Sequence, residues 1–328
     1  MKKLMILVMT AVCALGAWAE TKTCTTLSQL RSAVSAGYDV NIPFGTTITV
    51  DSTRAWGGAL GSSHSARTGW TAGINVDEKV KISGGGTIKV GTNMTALFVI
   101  GSGGQLTISD VTLDGSSGSY TAAAFFLEVT TDSSKGDSTV GLFTDSGLEV
   151  KNFCTSYATD GSAIASVIGA ENGSFWIYDI WVHDCKSRGM NDTYPPCLIA
   201  PKWGTCELFG GKIECTDAST YILEPCYSAT VKLYGGRLKH TTADHTFKSS
   251  GYENQVYVYG GAYAYSPTAA FSGKYTQGWS DMDLFTLDDG SYGVVYIYDW
   301  PCYITARPQQ SAYGTVTGSG SNYITGDH

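Results

Sequence analysis

Val231-Lys-Leu-Tyr-Gly235 is preceded by Cys206-Glu-Leu-Phe-Gly210 and followed by Val256-Tyr-Val-Tyr-Gly260, with starts 25 residues apart. Each segment alternates apolar and outward-compatible residues and then meets a residue that tolerates positive φ. Period-2 alternation buries one face of a strand, and Gly, Asp or Asn lets the chain turn there. The same pattern is read in Leu106-Thr-Ile-Ser-Asp110, Leu148-Glu-Val-Lys-Asn152, Phe175-Trp-Ile-Tyr-Asp179 and Val295-Tyr-Ile-Tyr-Asp299. The wider gaps between these are expected to carry loop insertions, such as Thr130 to Gly147 and Lys274 to Asp283.

A second strand should follow each turn (Val111 to Leu113, Ile180 to Val182, Arg237 to Lys239). A third should precede each repeat (Ala96 to Ile100, Ala163 to Ile168, Thr246 to Lys248). Three short strands per coil of roughly 25 residues predict an all-β solenoid in which each coil pairs only with its neighbours. Such a stack needs caps on its open ends. Thr26-Leu-Ser-Gln29 has the capping-box pattern, and Leu27, Leu30 and Val34 form an apolar stripe. Together they predict a short helix over the first coil. The chain therefore divides into residues 1–19, a cap with first strands over 20–50, coils over 51–305, and a tail or cap over 306–328.

Residues 1–19 read as an export signal. Lys2 and Lys3 precede an apolar run from Leu4 to Leu15, and Ala17-Trp-Ala19 is a small-x-small cleavage site. The run is too short to span a bilayer. Cys13 fits a lipoprotein anchor poorly, because Val12 and Ala11 precede it. Loss of Lys2 and Lys3 takes the formal charge from −8 to −10. That balance argues against nucleic acid and anionic lipid as partners, since both call for Lys/Arg clusters. Eight cysteines then remain: Cys24, Cys154, Cys185, Cys197, Cys206, Cys215, Cys226 and Cys302. An even count in an exported chain permits disulfides. Pro196-Cys197 and Pro225-Cys226 occupy matching places in consecutive coils, and Cys185 with Cys215 is a second candidate pair; stacked free thiols are the competing expectation. No CxxC pair occurs, so zinc is not expected.

With these segments in place, the chain resembles the pectate-lyase-like superfamily of right-handed parallel β-helices, and in character secreted or adhesin-like bacterial members. Leu27 to Val50 resembles the superfamily's opening, and Gly84-Gly-Gly-Thr-Ile88 and Leu106 to Gly115 resemble early coils. The resemblance implies architecture, not chemistry. Such scaffolds carry lyases, glycoside hydrolases, adhesins and inert surface proteins. The enzymes among them use calcium-bound carboxylates with an Arg or Lys base, or clustered Asp residues with a His.

The stretch richest in such groups is Asp179-Ile-Trp-Val-His183-Asp184-Cys-Lys186-Ser-Arg188. His183 and Asp184 have the types for general base and acid, and Lys186 and Arg188 for holding a uronate carboxylate. Asp179, however, sits in the turn column. Aligned coils place Gly115, Tyr157, Cys215 and His240 beside Asp184, so no second acid is expected in register. Asp281, Asp283, Asp288 and Asp289 would offer oxygens to calcium, although a solvated turn explains them equally. No cofactor is expected. The outward positions of the repeat contain Trp176, Tyr178, Tyr234, Tyr257, Tyr259, Tyr296 and Tyr298, predicting an aromatic stripe on one sheet. Exposed aromatic stripes mark contacts, and a linear glycan is one fitting partner; rings packed on each other are the competing expectation. The expected function is glycan or surface-protein binding outside the cell. The alternatives are polysaccharide degradation and a purely structural surface role, and the oligomeric state is open.

Overall fold

The computed structural model describes residues 20–55, 70–101, 103–128, 141–155, 166–171, 173–188, 196–226, 228–248, 255–271, 275–277, 282–286 and 292–296. Nearly all of its regular structure is β, arranged in three long sheets. The chain visits them in rotation. Lys79–Ser83 lies in the first sheet, Thr87–Val90 in the second and Ala96–Ile100 in the third; Gln105–Ile108 then returns to pair with Lys79–Ser83. The first sheet is parallel along all ten strands, from Thr21–Thr23 to Tyr275–Gln277. This rotation of stacked parallel strands is compatible with a parallel β-helix.

Side-chain alternation supplies the core. Val80, Leu106, Leu142, Phe175, Cys206, Val231 and Val256 are directly aligned from coil to coil, and all are buried. Phe98 and Phe125 stack 5.7 Å apart in the same interior. The third sheet reads differently. Ala96–Ile100 and Cys197–Lys202 are almost wholly buried, and Ala72, Ala96, Val99, Ala123 and Phe126 form a second apolar cluster apart from the main core. Its strands are therefore apolar runs without alternation. The helix Leu27–Ser35 closes the first coils, and Thr26 and Gln29 form the expected capping box. No helix among the described residues is long and apolar enough to cross a membrane.

Several sequence expectations are corrected by register. Glu149–Lys151 belongs to the second sheet, between Thr112–Asp114 and Trp181–His183. The coil aligned with Leu106 is instead Gly141–Thr144, within the expected insertion. Tyr292–Tyr296 runs antiparallel to Gly261–Tyr263 in the second sheet, so Tyr296 is outside the stripe; Tyr298 lies outside the described residues. The next strand of the first sheet is Tyr275–Gln277, also inside an expected insertion. Of the expected strand from Ala163 to Ile168, Ala163 to Ala165 lie outside the described residues and the described strand is Ile168–Glu171; Thr246 to Lys248 contributes only an isolated bridge at Phe247. The left-handed turn residue is the second glycine of each pair, Gly211 (φ +94°), Gly236 (+86°) and Gly261 (+109°), rather than Gly210, Gly235 and Gly260.

The disulfide pairings are overturned as well. Cys197 is aligned with Tyr221, and Cys226 bridges to Lys202, so the two cysteines are out of register by several residues. Cys215 lies opposite His240, and its sulfur is 4.0 Å from the Cys185 carbonyl oxygen. All four are free thiols. Burial pushes Cys185 up to about 12 and Cys215 up to about 11, so neither is a thiolate near neutral pH.

Candidate functional site

Two outward faces carry the candidate residues. On the first sheet, the alternation that buries Phe175 and Ile177 turns Trp176 and Tyr178 outward. The coil repeat then lines up one ring per turn. Tyr178 stacks on Phe209 at 4.6 Å, Phe209 on Tyr234 at 4.7 Å and Tyr234 on Tyr259 at 4.6 Å, with planes within 8° of parallel. Parallel strands repeat about every 4.8 Å, close to the contact distance of two rings, so the spacing of the sheet dictates the stack. In the adjacent column Phe143 stacks on Trp176 at 4.6 Å, followed by an ion pair of Lys232 and Glu207 at 2.8 Å and then by Tyr257.

Phe143 was hidden from sequence reading by the misassigned coil. The geometry also changes what the stripe can do. Each inner ring has both faces against its neighbours, so edges and hydroxyls point outward. A sugar stacks on faces, and the ring that is half exposed is Tyr178, at one end of the ladder. The stack therefore works first as packing. We expect Tyr234→Ala/Tyr259→Ala to lower stability by about 1–3 kcal/mol, at 0.5–1.5 kcal/mol for each of the two ring pairs lost. Chemical denaturation would check this, and an unchanged midpoint would mean that the ladder contributes nothing to the sheet.

The second sheet carries the other face. Thr112, Glu149, Trp181 and Lys212 form one outward column, and Asp114, Lys151, His183 and Glu214 the next. His183 is bracketed by two acids. Its Nε2 is 3.0 Å from Glu149 Oε1 and its Nδ1 is 2.7 Å from Asp184 Oδ2. The imidazole can donate to both carboxylates only when both ring nitrogens carry hydrogen. Glu149 also accepts from Lys151 Nζ and Thr112 Oγ1, each at 2.9 Å. Burial pushes the Glu149 carboxyl up, but its bonds from Lys151, His183 and Thr112 outweigh this and hold it below the usual range.

The earlier coil places no acid in register with Asp184, as expected, but an acid does reach the His183 ring from outside that column. Glu149, one coil earlier, reaches the ring from the adjacent column, and the residue beside Asp184 on that coil is Asn152 rather than Tyr157. Trp181 shares the strand and remains 44% exposed. Its ring stacks on His183 at 4.1 Å, and its indole N–H points to Glu214 Oε2 at 3.4 Å. Lys212, which pairs with Glu214 at 2.8 Å, lies 5.7 Å from the same ring. Sequence reading passed over Trp181 because it lies on a different sheet from the stripe. Lys186 and Arg188 are exposed farther along the chain. Asp217 stays below the usual carboxylate range: burial raises it, but bonds from Ser219 and Thr220 and the Lys186 charge lower it more.

A third cluster is internal. Glu224 is 2% exposed, with Cys197 Sγ 3.8 Å from its Oε2. Burial, opposed by the charge of Lys248 and by contacts with Cys197 and Cys226, pushes its carboxyl up to about 8. This is a buried neutral acid near pH 7, not an accessible catalyst. Among the described residues no three His, Cys, Asp or Glu side chains gather to hold a metal. Of the acids considered for calcium, Asp283 lies in strand Met282–Thr286, while Asp281, Asp288 and Asp289 lie outside the described residues. No protein-family model matches the chain, and no curated protein or solved structure matches it either.

Proposed function

We propose that this chain is an exported right-handed parallel β-helix of the pectate-lyase-like kind, which binds polysaccharide at its side without breaking it down. Export rests on residues 1–19, and the handedness and superfamily on the resemblance of the early coils. The observation that carries the binding reading is Trp181. An indole held by Glu214 and His183, yet nearly half exposed among hydrogen-bonding side chains, suits a sugar ring packed on its C–H face. The polar groups around it can take the hydroxyls.

Polysaccharide degradation has one observation in its favour, the Glu149–His183–Asp184 chain. Against it, both imidazole nitrogens are already taken by carboxylates, so neither is directed at a bound substrate. A glycan-array screen of residues 20–328 beside Trp181→Ala tests the proposal. Binding that the variant loses supports it. Reducing ends released by the wild type and lost in His183→Ala would replace it with an enzyme. No binding by a folded protein would move the role to surface structure or protein adhesion.

A further inference from the structure

We infer that His183 is a proton-operated support for the Trp181 platform, so that the site holds its ligand more tightly when the imidazole is charged. This rests on the glycan-binding reading above and adds regulation of that site by pH. The imidazole Nε2 lies 3.0 Å from Glu149 Oε1, and Nδ1 lies 2.7 Å from Asp184 Oδ2. An ionised carboxylate only accepts hydrogen bonds, so both contacts are satisfied only by the imidazolium, which carries a hydrogen on each nitrogen. In neutral imidazole one nitrogen keeps a lone pair, and that lone pair would face a carboxylate oxygen. One contact must then open. Glu149 is held in place by Lys151 Nζ and Thr112 Oγ1, each at 2.9 Å, whereas the Asp184 side chain is 64% exposed. The single hydrogen of the neutral ring therefore stays with Glu149, and Asp184 swings away.

The change reaches the indole through its face. The Trp181 and His183 rings stack with centroids 4.1 Å apart and planes 27° apart. Imidazolium at that distance adds the attraction of a cation for an aromatic face, and neutral imidazole lacks it. The charged groups around the ring are Glu149 and Lys151 from the preceding coil, Asp184 beside it in the chain, and Lys212 and Glu214 from the following coil. Carboxylates and ammoniums ordinarily titrate outside pH 5 to 8 and imidazole within it, so His183 is the group of this set suited to respond there. An indole that loses its support spends less time in the binding position, and apparent affinity falls in proportion. A cation–aromatic contact at a partly exposed site corresponds to a change of about two- to fivefold. His183 thus acts as a positioning residue, through Trp181 rather than on the sugar.

The test has two arms, each run on residues 20–328 at about pH 5.5 and about pH 8, on either side of the ordinary imidazole range. Without ligand, the indole N–H signal of Trp181, identified by its absence in Trp181→Phe, is followed by NMR. It should shift between the two pH values in the wild type and stay still in His183→Gln, whose amide does not titrate. With ligand, cellohexaose, xylohexaose, mannohexaose and hexagalacturonate are titrated calorimetrically; none of these sugars changes charge between the two pH values. At least one should bind about two- to fivefold more tightly at the lower pH, bind equally at both pH values in His183→Gln, and lose binding in Trp181→Ala. Equal wild-type affinity at both pH values, with binding still lost in Trp181→Ala, would overturn the inference and leave the glycan-binding reading standing. An indole signal that shifts as much in His183→Gln as in the wild type would overturn it too. A signal that shifts only in the wild type, with no sugar bound at either pH, would overturn the glycan-binding reading and leave the support of Trp181 by His183 in place.

Discussion

Replacing Glu224 with Gln is expected to raise the thermal unfolding midpoint substantially at pH 9 and to change it little at pH 5. Glu224 is buried, and its carboxyl is pushed from an ordinary 4.5 up to about 8 in the folded chain. In the unfolded chain it titrates near its ordinary value. Between those two values the folded state keeps a proton that the unfolded state releases, so rising pH favours unfolding. The stability associated with the neutral acid is fully present below about 4.5 and is lost as pH rises through about 8. At about 1.4 kcal/mol for each unit between folded and unfolded values, the loss is on the order of 3–5 kcal/mol. Gln keeps the shape and cannot ionise, so it escapes the loss. Ionisation of the unfolded thiols at pH 9 is common to both proteins and cancels in the comparison. Equal midpoints for the two proteins at pH 9 would mean that Lys248 compensates the carboxylate in the fold, contrary to this account.

Gly211→Ala should be a costly change at a turn, and Gly45→Ala serves as its control. Both glycines have left-handed φ, +94° and +78°. A Cβ on Gly45 would meet nothing within 4 Å, so the backbone penalty stands alone, at about 1–2 kcal/mol. A Cβ on Gly211 would lie 2.5 Å from the Ile180 carbonyl oxygen and 2.6 Å from the Ile180 nitrogen. Those atoms belong to the preceding coil, and the Ile180 carbonyl accepts the Lys212 N–H at 2.6 Å. Relief would require the two coils to part where they are hydrogen-bonded. Overpacking of this kind adds about 1–3 kcal/mol, so Gly211→Ala should cost roughly 2–5 kcal/mol in denaturant unfolding. Similar losses at both positions would show that conformation alone, not coil contact, selects glycine there.

The two glycines of the Gly-Gly turns illustrate how far sequence reading reaches. Alternation followed by Gly correctly places a corner after Leu208, Leu233 and Val258. It cannot say that the second glycine takes the left-handed conformation. It also cannot say that the first is needed for close approach, where a Cβ on Gly210 would lie 2.6 Å from the Tyr178 carbonyl oxygen. Both facts depend on the coil beneath. The aromatic ladder is similar. Outward placement of Tyr178, Phe209, Tyr234 and Tyr259 follows from alternation. Their face-to-face contact, which leaves the inner rings only edges for a ligand, follows from the distance between coils.

The sequence by itself determined the all-β character, the three-strand rhythm, the capping helix at Leu27 and the outward set of rings in the evenly spaced coils. These are local properties. Each is set by which face of a strand is apolar or by which residue can cap or turn, within a few positions of the chain. Tertiary structure alone decided which sheet Glu149–Lys151 joins, that Glu149 meets His183 across 34 residues, that the cysteines expected to pair miss each other, and that Trp181 stays partly exposed against His183 and Lys212. Those outcomes depend on register between coils. Register is set by insertions of unequal length, and strands of the first and second sheets share the same period-2 pattern. Nothing local distinguishes them until the neighbouring coil supplies its hydrogen bonds.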